Sequence, residues 1–240
     1  MEGIDIFNSY EIRARIFPSI IILLPIVVLF FSIIPLSDTI WKIMIELGIF
    51  IVIVYGVSYP VRMLGINFQK NIWTKDGAAP STKIMRWDDP TLGQNLKLSL
   101  YGAVSKKYMI TIPDENEQSS NPNSFDQIIE DIFIRVRADL RKGDKDNLWS
   151  SQNAEYGFVR NLIGSRSVWL ALSFICAAIG LILYSFEVSN IKLLAVGVNS
   201  IFCLISLIGG WYVLPKMFDY IGYEYAKNVW MAFLSFSKNE

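Results

Sequence analysis

The 240-residue chain has no histidine and only two cysteines, Cys176 and Cys203. Without histidine it lacks the commonest general base and the commonest metal ligand. Neither cysteine belongs to a C-x-x-C pair or to a zinc-ligand spacing, and both lie inside apolar runs, where free cysteine usually serves as a small packing residue. The sequence therefore predicts no metal site and no cofactor, and it contains no disulfide framework.

The chain also has no net charge, because 22 basic residues balance 22 acidic ones. This balance gives no general argument for nucleic-acid binding. No P-loop, no G-x-S-x-G turn and no Ser/His/Asp set is found in the sequence. The paired acids Asp88 and Asp89 have a simpler interpretation as a helix cap. We therefore expect a protein that is not an enzyme.

Apolar residues are abundant instead, at 52% of the chain, and they cluster in four long runs at 16–36, 40–59, 168–186 and 191–214. Each run has about the length that a bilayer-crossing helix needs. Short polar turns at 37–39 and 187–190 separate the members of each pair. The sequence predicts an all-α membrane protein with four transmembrane helices in two hairpins, whose immediate partner is the lipid bilayer.

Lysine and arginine are distributed unequally around these runs. The two turns contain neither residue, although Lys42 and Lys192 lie just inside the adjoining runs. Basic residues flank the other run ends: Arg13, Arg15, Arg62, Lys70, Arg160, Arg166, Lys216 and Lys227. The positive-inside rule places these flanks in the cytoplasm of an inner (plasma) membrane. The predicted order is a cytoplasmic arm (1–15), hairpin 1 (16–59), a cytoplasmic domain (60–167), hairpin 2 (168–214) and a cytoplasmic C-terminal helix (215–240).

The central domain is expected to be mainly helical. The sequence Asp88-Asp89-Pro90 predicts a helix start, and the helix would extend to about Lys106. The alternation of Leu96, Leu98 and Leu100 leaves a strand as the competing interpretation.

A polar segment at 113–123 is predicted to be a mobile linker. Ser124 and Gln127 then match a capping box, and apolar residues recur at helical spacing up to a plausible stop at Gly143. This is the clearest helix outside the apolar runs.

The end of that helix carries a cluster of positive charge at Arg137, Arg141 and Lys142. An anion-binding face is one interpretation. The competing one is an ordinary helix whose acids lie early and whose bases lie late, as the helix dipole favours. Both interpretations remain open.

A second candidate region directly precedes the third apolar run and contains Tyr156, Arg160, Asn161 and Arg166. Guanidinium groups bind phosphate and aromatic rings stack on bases, so these residues are candidates for binding a nucleotide. Anchoring at the membrane surface by arginine and aromatic side chains is the alternative.

Two stretches of the chain resemble a family of bacterial four-span membrane proteins from antiphage defence loci, the channel effectors of the Hailong system. The first has the pattern Trp73…Gly77…Pro80-Ser81-Thr82…Arg86…Asp88, with two alanines before the proline where one is expected. The second is Tyr156-Gly-Phe-Val-Arg-Asn-Leu-Ile-Gly164. The resemblance implies a homo-oligomeric channel, with a tetramer favoured. It also implies control by a nucleotide or oligonucleotide, a partner enzyme that makes this signal, and a ligand-binding role for Arg86.

Polar residues within the apolar runs are the candidates for a pore. Asn199, Cys203 and Ser206 form one polar stripe on the fourth run. Glu46 lies in the second, one turn from Lys42, and a ring of such carboxylates would favour cations. Small residues at this spacing also serve close helix packing, and Lys42 could pair with Glu46. The sequence thus favours a ligand-gated pore, with a non-conducting scaffold that recruits a cytoplasmic partner protein as the alternative.

Overall fold

The computed structural model describes residues 9–33, 40–142 and 148–237, apart from the side chains at 9, 40–47 and 148–150. Helix accounts for 88% of the described residues, and no strand occurs among them. Four helical stretches are long and apolar enough to cross a membrane: Ile12–Ile33, Gly48–Lys83, Arg166–Phe186 and Asn190–Ser237. The predicted helical class and the number of candidate membrane spans are therefore confirmed.

The helices, in chain order, are α1 (Ser9–Glu11), α2 (Phe17–Ile33), α3 (Ile40–Lys75), α4 (Pro80–Lys83), α5 (Gln94–Tyr108), α6 (Glu115–Ser120), α7 (Pro122–Lys142), α8 (Leu148–Gly164), α9 (Arg166–Phe186), α10 (Asn190–Ile208) and α11 (Leu214–Ser237). Two short π-helical segments interrupt this series, π1 (Ile12–Ile16) before α2 and π2 (Gly209–Val213) between α10 and α11. The predicted turn at 37–39 lies outside the described residues.

The chain divides into two compact units. Unit 1 comprises Met1–Lys70 and Ala154–Phe218, and unit 2 comprises Asn71–Asn153 and Asp219–Glu240. The predicted cytoplasmic domain covers 60–167, whereas residues 60–70 and 154–167 belong to unit 1. The C-terminal residues, predicted as a separate helix, belong largely to unit 2.

In unit 1, α9 and α10 pack against each other, and α2 packs against both. Gly180 of α9 makes this close approach possible, because a Cβ placed there would lie 3.1 Å from a side-chain carbon of Val196. A Cβ on Gly210, at the other end of the interface, would lie 3.0 Å from the Cβ of Arg166. The same number of residues separates the two contacts along α9 and along α10 with the start of π2, so the two contacts fit one antiparallel register. Small residues permit such packing in lipid, where apolar burial does not drive helices together.

In unit 2, α7 provides one face of an apolar core through Phe125, Ile129, Ile132 and Val136, all fully buried. Residues of α5 and of α11 complete this core. The Trp230 ring lies 5.5 Å from the Phe133 ring, and its indole nitrogen donates a hydrogen bond to the Ser81 carbonyl at 3.0 Å. The C-terminal helix is therefore an integral part of the unit 2 core.

The predicted helix start at Asp88-Asp89-Pro90 is wrong, because α5 begins at Gln94 after Gly93. Side-chain contacts hold the preceding segment outside the helix. The Gln118 amide donates to the Asp88 carboxylate at 2.8 Å, and the fully buried Lys97 ammonium donates to the Asp89 carbonyl at 2.5 Å. The strand interpretation of the three leucines is also wrong, since all of them lie in α5.

The predicted mobile linker at 113–123 contains the helix α6. Its capping box consists of Asp114 and Glu117, each of which accepts a hydrogen bond from the backbone N–H of the other. The capping box predicted at Ser124 and Gln127 is wrong, because α7 already begins at Pro122. At the start of α7, the Asn121 side-chain oxygen instead accepts a hydrogen bond from the Ser124 N–H at 3.2 Å.

Two isoleucines of α7 provide a matched test of the unit 2 core. Ile132 is fully buried, whereas Ile134 is 58% exposed. We expect Ile132→Ala to cost about 2–5 kcal/mol and to lower the unfolding temperature of the full chain in detergent, since it leaves a cavity. Ile134→Ala should change stability by less than roughly 0.5 kcal/mol. Equal effects of the two substitutions would contradict this description of the core.

Candidate functional site

The candidate site lies in unit 1 where α3 and α8 cross, and it depends on two glycines. A Cβ placed on Gly164 would lie 2.5 Å from the Gly65 Cα and 2.6 Å from the Gly65 nitrogen. A Cβ placed on Gly65 would lie 2.8 Å from the Asn161 Cα. The two backbones are therefore in direct contact, and no larger residue fits at either glycine without displacing a helix.

Asn161 is fully buried at this crossing and joins α8 to π1. Its amide nitrogen donates to the Ala14 carbonyl at 2.6 Å. A π-helical turn shifts the backbone hydrogen-bond pattern, and the Asn161 amide provides a partner for a carbonyl within that turn. A Cβ on Gly157, one turn earlier on α8, would lie 2.9 Å from the Ala14 Cβ, so glycine is required there too.

Arg160 extends from the same face of α8 and is half-buried. Its guanidinium donates to the Gln69 side-chain oxygen at 3.3 Å and to the Asn161 side-chain oxygen at 3.2 Å. Burial lowers the pKa of Arg160, and the nearby positive charge of Arg62 lowers it further, while Tyr10 and Tyr156 act in the opposite direction. Arg160 is thus a partly buried cation with neutral hydrogen-bond partners, and it senses the positive charge of Arg62.

Arg62 is the second cation of this cluster and lies on α3. It is partly buried, and its Nε atom is fully buried with no hydrogen-bond partner among the described residues. Neither Arg62 nor Arg160 forms a salt bridge within the described part of the chain. An oxyanion such as a phosphate would satisfy both guanidinium groups, which bind such groups through paired hydrogen bonds. We call Arg62 and Arg160, with their neutral partner Gln69, the arginine cluster.

Arg166 begins α9, and only Ser165 separates it from the end of α8. Its guanidinium lies over two aromatic rings, 4.9 Å from the centroid of Trp211 and 5.4 Å from that of Phe68. It also donates to the Gly210 carbonyl of π2 at 3.2 Å. Arg166 therefore ties the beginning of α9 to π2.

Tyr156 was predicted to stack on a ligand base, and in the structure its buried ring stacks on Phe218 with centroids 5.4 Å apart. The ligand-binding roles of Tyr156, Asn161 and Arg166 stay predictions. All three side chains have packing or hydrogen-bonding contacts within unit 1.

The other predicted ligand-binding residues, Arg86, Arg137, Arg141 and Lys142, lie in unit 2. Arg86 forms two hydrogen bonds with Asp126, at 2.9 and 2.5 Å, and these bonds raise the pKa of Arg86. Arg137 lies over the rings of Phe133 and Tyr225. Arg141 and Lys142 are exposed, and the Lys142 ammonium is 3.5 Å from the Asp139 carboxylate. Their roles in ligand binding also stay predictions.

The predicted pore residues of the fourth run, Asn199, Cys203 and Ser206, lie on the face of α10 with the buried Ala195 and Gly210. Asn199 and Ser206 are fully buried within unit 1, and Cys203 is partly buried. The side chain of Glu46 lies outside the described residues. The assignment of these four residues to a pore stays a prediction. No three described His, Cys, Asp or Glu side chains are close enough together to hold a metal ion.

The sequence patterns missed Arg62, Gln69 and Gly65. In the sequence Arg62 indicates only orientation, because a single arginine beside an apolar run is common. Its distinguishing property is the repulsive effect of its charge on Arg160, which lies far from it in the sequence. No protein-family model, no curated protein and no solved structure matches the chain. Its function therefore has to be inferred from its own residues and contacts.

The backbone contact between α3 and α8 predicts that Gly164→Ala destabilises the full chain. The added methyl group would overlap the Gly65 backbone, and forced overpacking costs about 1–3 kcal/mol or more. Gly102→Ala is the control, since no described atom lies within 4 Å of a Cβ placed there. That substitution should be neutral or slightly stabilising, because alanine favours a helix interior over glycine. Unfolding temperatures in detergent check both, and equal shifts would refute the contact.

Proposed function

We propose that this protein is a bacterial membrane effector in antiphage defence that forms a homo-oligomeric, ion-conducting pore gated by a cytoplasmic ligand. The ligand is a nucleotide or an oligonucleotide, supplied by a partner enzyme. Each chain contributes four spans in two hairpins to the inner membrane, with both termini and unit 2 in the cytoplasm. The proposal includes membership of the family that the chain resembles, the four-span channel effectors of the Hailong system.

One observation carries the proposal: the arginine cluster holds positive charge that no described carboxylate compensates. Two neighbouring guanidinium groups repel each other, and partial burial increases the free-energy cost. A phosphate group bound to both guanidinium groups would replace their mutual repulsion with attraction to its negative charge. The cluster thus has the chemistry of a site that is completed by an anionic ligand.

The position of the cluster supports a gating role. Arg160 lies near the end of α8, and α9 begins directly after Ser165. Arg166 at that junction donates to the Gly210 carbonyl of π2, which follows α10. A movement of Arg160 towards a ligand would therefore act on two candidate membrane spans at once.

An open face on α3 supports assembly into an oligomer. From Ile49 to Tyr59, only Val54 and Ser58 are buried within the protomer. No described atom lies within 4 Å of a Cβ placed on Gly48 or on Gly56. Glycines on an exposed transmembrane face allow a second helix to approach closely, and we propose that a second copy of this chain does so.

Electrical recording from the purified protein in planar lipid bilayers tests the gated pore. A panel of mono-, di- and oligonucleotides is applied, one at a time, to the side of the bilayer that carries unit 2. We expect one of them to change the conductance. Arg160→Met should raise the half-maximal concentration of the active nucleotide by about 10-fold or more, since it removes charged hydrogen bonds to the ligand. The variant should stay folded, because it also removes a charge that repels Arg62.

The matched control is Arg135→Met, which removes an exposed arginine from α7 and should leave the response unchanged. An equal loss of response in both variants would refute the arginine cluster as the ligand site. No conductance with any nucleotide would refute the pore. Capture of a cytoplasmic protein by the full chain under those conditions would favour the non-conducting scaffold.

The mass of the detergent-solubilised protein tests the oligomer interface. Gly56→Leu should reduce the oligomer to smaller species, because the larger side chain prevents close approach at α3. Gly197→Leu is the control, as Gly197 is equally open but lies on α10. A reduction in mass with Gly197→Leu and not with Gly56→Leu would assign the interface to α10 instead.

A further inference from the structure

Asn199 is the one residue in the interior of unit 1 whose amide is buried without any described partner for either of its polar atoms. The side chain is fully buried, and neither its oxygen nor its nitrogen has a hydrogen-bond partner among the described residues. It stands about 14 Å along α10 from the beginning of that helix, well inside the candidate span. A buried amide without hydrogen bonds costs free energy, and in an apolar span no lipid atom can supply them.

The register of α9 against α10 defines the surroundings of this amide. The contacts of Gly180 with Val196 and of Arg166 with Gly210 set one antiparallel register, which brings Ala177 level with Asn199 and Ser173 level with Cys203. The hydroxyl groups of Ser173 and Ser206 both donate to carbonyls of their own helices, at 2.8 and 2.9 Å. These hydroxyl protons are therefore engaged within their own helices and are not directed to Asn199.

A second polar group in this region comes from α2. Pro25 lies inside that helix and is buried. Proline has no N–H, so the carbonyl of Ile21, one turn earlier, loses the hydrogen bond that a regular helix would give it. Leu29 of α2 lies 3.8 Å from a Cβ placed on Gly180, so this part of α2 faces the interface of α9 and α10. Pro25 and Asn199 are thus both buried where α2, α9 and α10 pack together.

We propose that the interior of unit 1 binds water between α2, α9 and α10, with the Asn199 amide and the Ile21 carbonyl as its hydrogen-bonding partners. A water molecule both donates and accepts, so it can bond to the amide oxygen, the amide nitrogen and the carbonyl. Buried waters in proteins typically have two to four such partners. This site is separate from the arginine cluster, and it does not depend on conduction through a pore.

The chain carries its own reporters of this water, because its two cysteines lie on α9 and α10, the two helices that pack against each other here. Cys176 of α9 is 3% exposed, and Cys203 of α10 is partly buried. X-ray radiolysis produces hydroxyl radicals from water at the place where the water lies, and these radicals oxidise a neighbouring thiol before they can diffuse away. A buried cysteine is oxidised in such an experiment only where water is next to it.

The experiment is pulsed radiolysis of the full chain in lipid nanodiscs, with mass spectrometry of the peptides that contain Cys176 and Cys203. We expect both thiols to be oxidised in the unaltered protein and several-fold less in Asn199→Leu, which fills the site with an apolar side chain. Ser200→Leu is the matched control: it makes the same change at the next residue, which is exposed and lies on another face of α10. It should leave oxidation of both cysteines unchanged.

A second variant keeps the proposal testable if Asn199→Leu does not fold. Pro25→Ala restores the N–H that bonds to the Ile21 carbonyl, so it should stabilise α2 and lower the oxidation of the two cysteines several-fold. Oxidation that is absent in the unaltered protein, or that stays unchanged in the folded variants, would overturn the water site. Since no ion flux is measured, this outcome is independent of the result for the proposed pore.

Discussion

The direct contact between the backbones of Gly65 and Gly164 is the constraint on which the candidate site depends. It brings α3 and α8 together more closely than any pair with side chains could pack. This proximity places Gln69 beside Arg160 and buries Asn161, whose amide then reaches the Ala14 carbonyl. The arginine cluster is therefore a product of helix packing. Its side chains come together because Gly65 and Gly164 have no side chains of their own.

The sequence predicted the helical class and the four apolar stretches because hydrophobic length is a local property of the chain. It also predicted the amphipathic helix from Phe125 to Leu140, since its apolar residues recur every three or four positions. The sequence predicted the helix boundaries in unit 2 less accurately. The helix α5 begins only at Gln94, because Gln118 and Lys97 bond to the segment before it. Gln118 is distant from this segment along the chain, and Lys97 lies in the first turn of the helix itself.

The candidate site was predicted only in part, for a physical reason. Arg160 and Asn161 were recognised by residue type, but the same type of evidence could not separate the exposed Arg141 from the paired Arg86. The partner Arg62 is far from Arg160 in the sequence, and glycine gives no chemical signal of its own. The decisive information is which groups have a carboxylate nearby, and that depends on helix crossings that no local pattern encodes.

Unit 2 is built from two stretches of chain that lie far apart in the sequence, and its core needs both. Trp230 and Phe233 of α11 are fully buried among residues of the central segment, and Trp230 bonds to Ser81. In evolutionary terms, a recombination that exchanged the central segment alone would leave these two aromatic residues without their core. The central segment and the C-terminal helix must therefore be inherited as a pair, although the helices α8, α9 and α10 are encoded between them.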